Sequence, residues 1–302
     1  MNAPGRLQAP ILVGLTAIYA VCFVLIKAGL AFAPPLIFGG LRALIGGGAL
    51  IVLLLVLRRP LLPPRESWSG VVALALTATT VGFGAMFLSP GRTGAGIASV
   101  LGNAQPLLVV TLAAAVLGEP MTRGKWLTLA LGMTGVTLIA WQALVGPGAD
   151  GISGAALALT ASAGAAVGSV IFKRMRVTTG LLAITAWQLI LGSLPLLAAS
   201  ALTERSLPVA WSLAFVGQLS FLALAGTSFV NAAWYWLVQR GEVSRLAVYL
   251  FLVPVFGLGM AALALGERLS AWESMGSALI VAGIVVVTWP GAWRGRLAGE
   301  AT

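Results

Sequence analysis

Long apolar runs without charged residues restrict what this chain can fold into. Residues 67–91, 93–118, 126–149 and 206–239 contain no Asp, Glu, Lys or Arg. A helix that spans a bilayer needs about 20 mostly apolar residues. Only 9% of the residues are charged, against about 25% in a typical soluble domain. The sequence therefore predicts an all-α polytopic membrane protein and argues against a water-soluble enzyme.

The apolar runs and their connectors predict ten transmembrane helices and an orientation. Lys and Arg number thirteen in the two termini, in the connectors on their side of the membrane and in the first two residues of the helices that follow these connectors, against three in the opposite connectors. Such a bias places the basic side in the cytoplasm, so both termini are expected there. The predicted helices are 9–30, 36–57, 69–88, 95–117, 124–145, 151–172, 180–202, 212–238, 244–265 and 271–290.

The two halves of the chain resemble each other. Residues 106–141 align without gaps to 254–289, and Leu117-Gly118-Glu119 matches Leu265-Gly266-Glu267. Nearer the start of each half, an offset of 146 residues pairs Lys27 with Lys173, Arg42 with Gln188, and Gly46 with Gly192. We therefore expect two repeats of five helices, residues 1–148 and 149–302.

Five helices in each repeat have a consequence for the architecture. An odd number makes the second repeat enter the membrane from the opposite side, so the repeats are inverted about an axis in the membrane plane. Secondary transporters use this arrangement and bind substrate near the midplane, between the repeats. We expect a central cavity there and transport by alternating access.

Several motifs resemble a known family. Leu-Gly-Glu-Pro at 117–120, its counterpart Leu-Gly-Glu-Arg at 265–268, and the stretch from Lys27 through Pro34-Pro35 to Arg42 are similar to the EamA branch of the drug/metabolite transporter superfamily. Within that branch the chain most resembles bacterial exporters of aromatic and other neutral amino acids, of the YddG type. The resemblance implies export of a small metabolite through the cavity, in the bacterial cytoplasmic (inner) membrane. Arg268 departs from the proline expected after Gly-Glu.

Polar and aromatic side chains on the predicted helices are the candidate substrate contacts, because polar groups inside a membrane face protein or water. Alternative roles stay open: Lys27 and Lys173 could extend to the interface, Arg42 could pair with carbonyls, and Ser, Thr and Asn could join neighbouring helices. The candidates are Tyr19, Phe23, Lys27, Arg42, Thr80, Phe83, Ser99, Asn103, Ser162, Ser169, Asn231, Tyr235 and Phe251.

Four further residues are candidates for breaking helices or for gating. Pro106 and Pro254 occupy equivalent positions in the repeats and free backbone carbonyls, which is tolerated where they line a cavity. Glu119 and Glu267 precede helices that begin near Thr122 and Ser270. Their alternative role is structural, as capping groups at the membrane surface.

The charges favour an uncoupled carrier of carboxylate-bearing solutes. No Asp or Glu lies inside the ten predicted helices away from their ends, whereas proton-coupled carriers usually hold a buried carboxylate or histidine. Lys27 and Arg42 suit a carboxylate, a phosphate or a zwitterion. We expect a facilitator that exports neutral and aromatic amino acids. Organic-anion or nucleotide-sugar-type metabolites, drugs, lipid flipping and a non-transporting scaffold remain alternatives.

The chain lacks the residues of common catalytic and metal sites. It has no histidine and one cysteine, which excludes a Ser–His hydrolase and a His-ligated metal. We expect no enzymatic activity, no cofactor and no metal. The expected partners are a small-molecule substrate and the lipid bilayer, with no nucleic acid, and both a monomer and a homodimer remain open.

Overall fold

The structure is a computed structural model that describes residues 8–89, 101–141, 144, 152–204, 208–265 and 269–288. These residues form helices joined by short connectors, and no strand occurs among them. The predicted all-α membrane protein is confirmed at this level. Residues 95–100 of the fourth predicted helix lie outside the described ranges, and the prediction of one continuous helix over 95–117 is wrong, because a turn at Asn103 and Ala104 interrupts it before Gln105.

The helices follow the apolar runs closely, and three of them change their winding within the span. In chain order they are α1 (Gln8–Gly29), α2 (Pro35–Val56), α3 (Arg65–Leu88), α4 (Gln105–Leu117), α5 (Arg123–Ile139), α6 (Ile152–Arg174), α7 (Leu181–Thr203), α8 (Leu213–Arg240), α9 (Val243–Ala247, Val248–Phe251 and Leu252–Leu265) and α10 (Ala271–Thr288). The middle segment of α9 is a 3₁₀ turn. The middle parts of α3 (Ala75–Val81) and α8 (Leu224–Phe229) are π-helical.

Within the described residues, seven helices are long and apolar enough to cross a membrane: α1, α2, α3, α6, α7, α8 and Val243–Met260 of α9. The apolar stretches Gln105–Leu117 in α4 and Ala271–Val286 in α10 are shorter. Arg123 and Lys125 make the start of α5 polar. The chain is therefore polytopic.

The two π-helical segments make equivalent contacts with two other helices. In α3, Thr79 donates a hydrogen bond to Gln188 Oε1 of α7 over 2.9 Å, and Thr80 donates to the Gly192 carbonyl over 2.9 Å. In α8, Thr227 accepts from Arg42 Nε of α2 over 2.7 Å. Ser228 next to it donates to the Gly46 carbonyl over 2.7 Å. These partners pair at the sequence offsets noted above, so the halves repeat in their contacts as well.

Small residues let α5 and α10 approach closely. A Cβ atom at Gly135 would lie 2.6 Å from the Gly276 carbonyl oxygen, and one at Gly276 would lie 2.5 Å from the Gly135 carbonyl oxygen. Thr128 donates to the Gly283 carbonyl over 2.8 Å. Close crossing at small residues is the usual way in which membrane helices pack.

The remaining contacts leave room between the halves. Helix α1 contacts α8 and α9, and α6 contacts α3 and α4, while α2 packs along α7 and α4 packs against the start of α9. At one end of the bundle Ser89 of α3 donates to the Gly154 carbonyl at the start of α6. We call this the Lys27 end, and the opposite end, where α4 ends and α9 begins, the Glu119 end.

Candidate functional site

A cavity of about 530 Å³ lies between the halves of the chain and extends toward the Lys27 end. Its described lining comes from α1, α2, α3, α6, α8, α9 and the start of α4. Of the residues that the sequence singled out, ten line it: Tyr19, Phe23, Lys27, Arg42, Phe83, Asn103, Pro106, Ser162, Asn231 and Pro254.

Arg42 is the most buried charge in this lining, with 2% of its surface exposed. Its Nε donates to Thr227 Oγ1 over 2.7 Å, and its Nη2 donates to the Gly226 carbonyl over 3.0 Å. The π-helical winding of α8 presents this carbonyl and hydroxyl to α2, since its backbone is not held in the regular i to i−4 ladder. Nη1 is buried without a hydrogen-bond partner.

Aromatic rings surround the guanidinium. The Phe83 ring centroid lies 5.0 Å from Arg42 Cζ, and the Phe87 centroid lies 5.9 Å from it. Both distances are within the range of a cation–π interaction. Tyr19 and Phe23 of α1 add two more aromatic side chains to the lining. The cavity can therefore accept a ring close to a fixed positive charge.

The other polar lining residues are neutral and mostly committed to the backbone. Asn231 Nδ2 donates to the Thr227 carbonyl over 2.9 Å. Ser162 Oγ is 2.9 Å from each of the Leu101 and Gly102 carbonyls, at the turn before α4. Lys27 is exposed near the mouth of the cavity. No Asp or Glu occurs among the described lining residues.

Four of the predicted contacts are absent from the described lining. Thr80 bonds to α7, and Ser169 accepts from Trp234 Nε1 over 3.1 Å. Tyr235 stacks on Phe172 with 4.1 Å between ring centroids. Phe251 is 1% exposed, and its ring fills the space beside Gly132 of α5. These side chains pack helices together in this conformation.

Ser99 and Glu267 lie outside the described residues. Their predicted roles, as a cavity contact and as a gating residue, stay predictions.

Glu119 joins two helices at the closed end of the bundle. Its carboxylate accepts hydrogen bonds from the backbone amides of Val243 and Ser244, over 2.8 and 2.9 Å, and from the Ser244 hydroxyl. A carboxylate at the first turn of a helix satisfies amides that have no partner within the helix. Glu119 thus ties the end of α4 to the start of α9.

Two lysines connect the start of α9 and the end of α8 to neighbouring helices. Lys125 is fully buried and forms an ion pair with Glu242 at 3.2 Å, with Glu119 4.0 Å away. Lys173 Nζ donates to the Val238 and Gly241 carbonyls at the end of α8, over 2.8 Å each. We call Glu119, Lys125, Lys173, Glu242 and Ser244 the Glu119 cluster. It closes one end of the bundle while the cavity reaches toward the other.

Sequence reasoning missed several of these residues. Lys125 and Glu242 look like ordinary connector charges, and their pairing across 117 positions has no local signal. Gly226 was also missed, because a backbone carbonyl leaves no trace in the residue type. Gln188 was visible only as the repeat counterpart of Arg42.

Comparison with known proteins agrees with the geometry. The sequence matches the EamA-like transporter family over residues 8–141 and 152–289. It is 31% identical to the uncharacterized transporter YvbV of Bacillus subtilis, covering 94% of this chain and 92% of that protein. It is 30% identical to a probable amino-acid metabolite efflux pump of Salmonella typhimurium, covering 90% and 91%.

The fold also occurs in a crystal structure of a chain that is 21% identical. The two superpose with a TM-score of 0.78, over 93% of this chain and 96% of the other. At this identity the likeness concerns the fold alone.

Proposed function

This chain belongs to the EamA-like transporter family, and we propose that it exports aromatic and other neutral amino acids by alternating access. The single observation behind this choice is the cavity, whose lining combines the guanidinium side chain of Arg42 with the aromatic rings of Tyr19, Phe23 and Phe83. Such a wall can receive the carboxylate and the side chain of an amino acid together. The family relative in Salmonella typhimurium is a probable amino-acid metabolite efflux pump, which favours the same substrate class.

The proposed architecture is ten spans in two inverted repeats, residues 1–148 and 149–302. Two observations support it. The family matches the chain twice, once in each half. The bonds from α3 to α7 also have counterparts from α8 to α2, at the offsets of the sequence repeat. In this arrangement both termini lie in the cytoplasm, as the distribution of Lys and Arg predicts, and the membrane is the bacterial inner membrane.

The proposed transport step is exchange between the state closed at the Glu119 end and a state closed at the Lys27 end. Breaking the bonds from Glu119 to the start of α9 would let α4 and α9 separate there. Glu267 is the sequence counterpart of Glu119, and we assign it the equivalent role at the other end. Pro106 and Pro254 lie on the cavity wall, in the first turns of α4 and of the last segment of α9, where proline is tolerated because the first amides of a helix have no intrahelical partner.

We further propose that transport needs no proton gradient. A proton carrier inside the membrane requires a group that changes charge, usually a carboxylate or histidine. The chain has no histidine, and the described lining of the cavity has no Asp or Glu. The protein would therefore act as a facilitator that follows the substrate gradient.

Efflux from proteoliposomes tests the proposed function. Vesicles are preloaded with radiolabelled phenylalanine, tryptophan, leucine, threonine or alanine, and we expect faster efflux than from vesicles without protein. Ala161→Trp should abolish the difference, because Ala161 lines the cavity. Leu159→Trp is the matched control, since Leu159 lies on the same helix with 41% of its surface exposed. Equal efflux with and without protein for all five amino acids would refute the proposal.

A further inference from the structure

The charged side chains in the described lining of the cavity are all positive, so the cavity favours the negative group of a substrate. Arg42 and Lys27 supply positive charge, whereas no Asp or Glu is found in the described lining. A zwitterionic amino acid would thus meet a charge partner for one of its ends only.

The side chain of Arg42 is preorganised to bind an anion. Its Nε and Nη2 are held by Thr227 and the Gly226 carbonyl, and Cζ lies over the Phe83 ring, 5.0 Å from the centroid. The side chain is therefore fixed in direction before any ligand arrives. Nη1 is left buried and without a partner, and a buried donor without a partner is unfavourable. A carboxylate satisfies such a donor with a charge-assisted hydrogen bond.

Among the described lining residues, an ammonium group finds only neutral hydrogen-bond acceptors. The Ser162 hydroxyl is within bonding distance of two backbone carbonyls, and the Asn231 amide nitrogen is bonded to the Thr227 carbonyl. An ion taken out of water loses its hydration, and neutral hydrogen bonds compensate for that loss less well than a paired opposite charge does. The positive field of Arg42 and Lys27 also repels a cation.

We propose that the cavity recognises the carboxylate of its ligands through the Arg42 guanidinium and does not require their ammonium group. The substrate class is therefore small carboxylates with an apolar or aromatic body, of which neutral amino acids are one kind. The corresponding amines, which lack the carboxylate, are excluded. This inference rests on the proposed function for the location of the site, but it makes a separate statement about the ligand.

Ligand-induced thermal stabilisation of the purified protein in detergent tests this inference without any transport. The probes are phenylalanine, 3-phenylpropionate, which lacks the ammonium group, and phenethylamine, which lacks the carboxylate. We expect phenylalanine and 3-phenylpropionate to raise the melting temperature with similar half-maximal concentrations. Phenethylamine should produce no shift at ten-fold higher concentration.

Variants connect the result to the Arg42 side chain. Arg42→Gln should raise the half-maximal concentration of 3-phenylpropionate at least ten-fold. Arg240→Gln is the matched control, because it removes an exposed guanidinium that stacks on Trp236 and should leave that concentration unchanged. If Arg42→Gln does not fold, Arg42→Lys replaces it, and the series on the unaltered protein decides the inference by itself.

Each outcome bears on one of the two proposals. Stabilisation by 3-phenylpropionate but not by phenylalanine supports the carboxylate rule and refutes the amino-acid assignment. Stabilisation by phenethylamine, a requirement for the ammonium group, no stabilisation by either carboxylate, or unchanged binding in folded Arg42→Gln overturns the carboxylate rule. Amino-acid efflux that persists when the carboxylate rule is overturned leaves the proposed function standing.

Discussion

Arg42 and Gln188 occupy equivalent positions in the two halves, but only Arg42 brings a charge to its threonine partner. Thr227 accepts from the Arg42 guanidinium, whereas Thr79 donates to the neutral Gln188 amide. The sequence repeat predicts that these positions correspond, but not that the halves differ in function. The difference follows from the cavity, which includes Arg42 in its described lining and does not include Gln188 there.

Replacing each threonine by valine should have unequal effects on stability. Thr227→Val leaves a buried charged donor without its acceptor, and a hydrogen bond to a charged group contributes about 1.5–3 kcal/mol. Thr79→Val removes a neutral bond worth about 1 kcal/mol. Thermal unfolding in detergent should therefore show the larger decrease for Thr227→Val. Equal decreases would contradict a charged Arg42 that depends on Thr227.

Phe83 should determine how well aromatic substrates compete with aliphatic ones. Phe83→Leu keeps an apolar side chain but removes the ring beside Arg42, and an aromatic pair contributes about 0.5–1.5 kcal/mol beyond its buried area. The ratio of tryptophan to alanine efflux should fall by about two- to ten-fold. Phe229→Leu serves as the control, since Phe229 is 56% exposed on the outer surface of α8. An unchanged ratio in Phe83→Leu would exclude Phe83 from the aromatic subsite.

For the helices, the sequence predicted the boundaries well but did not predict every residue that faces the cavity. Apolar length fixes where a membrane helix lies, so the predicted and observed boundaries of α1, α2 and α7 differ by one residue at each end. Which residues share one face of a helix depends on the number of residues per turn. Val248–Phe251 in α9 is a 3₁₀ turn and Leu224–Phe229 in α8 is π-helical, so a spacing of 3.6 residues does not carry through them.

The 3₁₀ turn explains why Phe251 is not in the described cavity lining, whereas Tyr235 lies one turn beyond the lining residue Asn231 in the same α-helical segment, Val230–Arg240. The sequence placed both on faces drawn through α9 and α8 with regular helical spacing. Phe251 instead lies against Gly132 and Tyr235 against Phe172. Asn103, Ser162 and Asn231 could be anticipated, because intramembrane polar groups must face protein or water.

The crossing of α5 and α10 should tolerate no added methyl group. Gly276→Ala places a Cβ 2.5 Å from the Gly135 carbonyl oxygen, and overpacking of a close contact costs roughly 1–3 kcal/mol. The melting temperature in detergent should fall. Gly14→Ala is the matched control, because nothing lies within 4 Å of a Cβ added there. A decrease no larger than that of Gly14→Ala would contradict this close packing.

Glu119 should control access from its end of the bundle. Glu119→Gln removes the negative charge from the bonds to the start of α9, and bonds to a charged group contribute about 1.5–3 kcal/mol. Labelling by a small maleimide at Ala166→Cys, one turn beyond Ser162 and fully buried, should accelerate about ten-fold in a Cys22→Ala background.

A second variant distinguishes gating by Glu119 from a general loss of stability when a helix-capping carboxylate is removed. Glu204 also caps a helix, since its carboxylate accepts from the backbone amides of Leu36 and Ile37 at the Lys27 end. Glu204→Gln should leave labelling at Ala166→Cys unchanged. Equal acceleration in both variants, or none in Glu119→Gln, would remove Glu119 from the gate.

The molecule as a whole encloses a cavity between two similar halves, and we propose that this cavity moves a carboxylate-bearing solute across the membrane without a coupled ion. The closed Glu119 cluster, the cavity that extends toward the Lys27 end and the repeated contacts of α3 and α8 support this claim together. A carrier of this kind exchanges substrate across the membrane in both directions, whatever the direction of net export in the cell.

Counterflow measures that exchange directly. Proteoliposomes loaded with unlabelled phenylalanine are placed in labelled phenylalanine, with identical pH and salt on both sides and with protonophore present. We predict transient accumulation of label above the outside concentration, and its loss in Ala161→Trp but not in Leu159→Trp. Absence of accumulation under these conditions, with accumulation restored by a pH gradient when the protonophore is omitted, would contradict the account by showing that transport is coupled to protons.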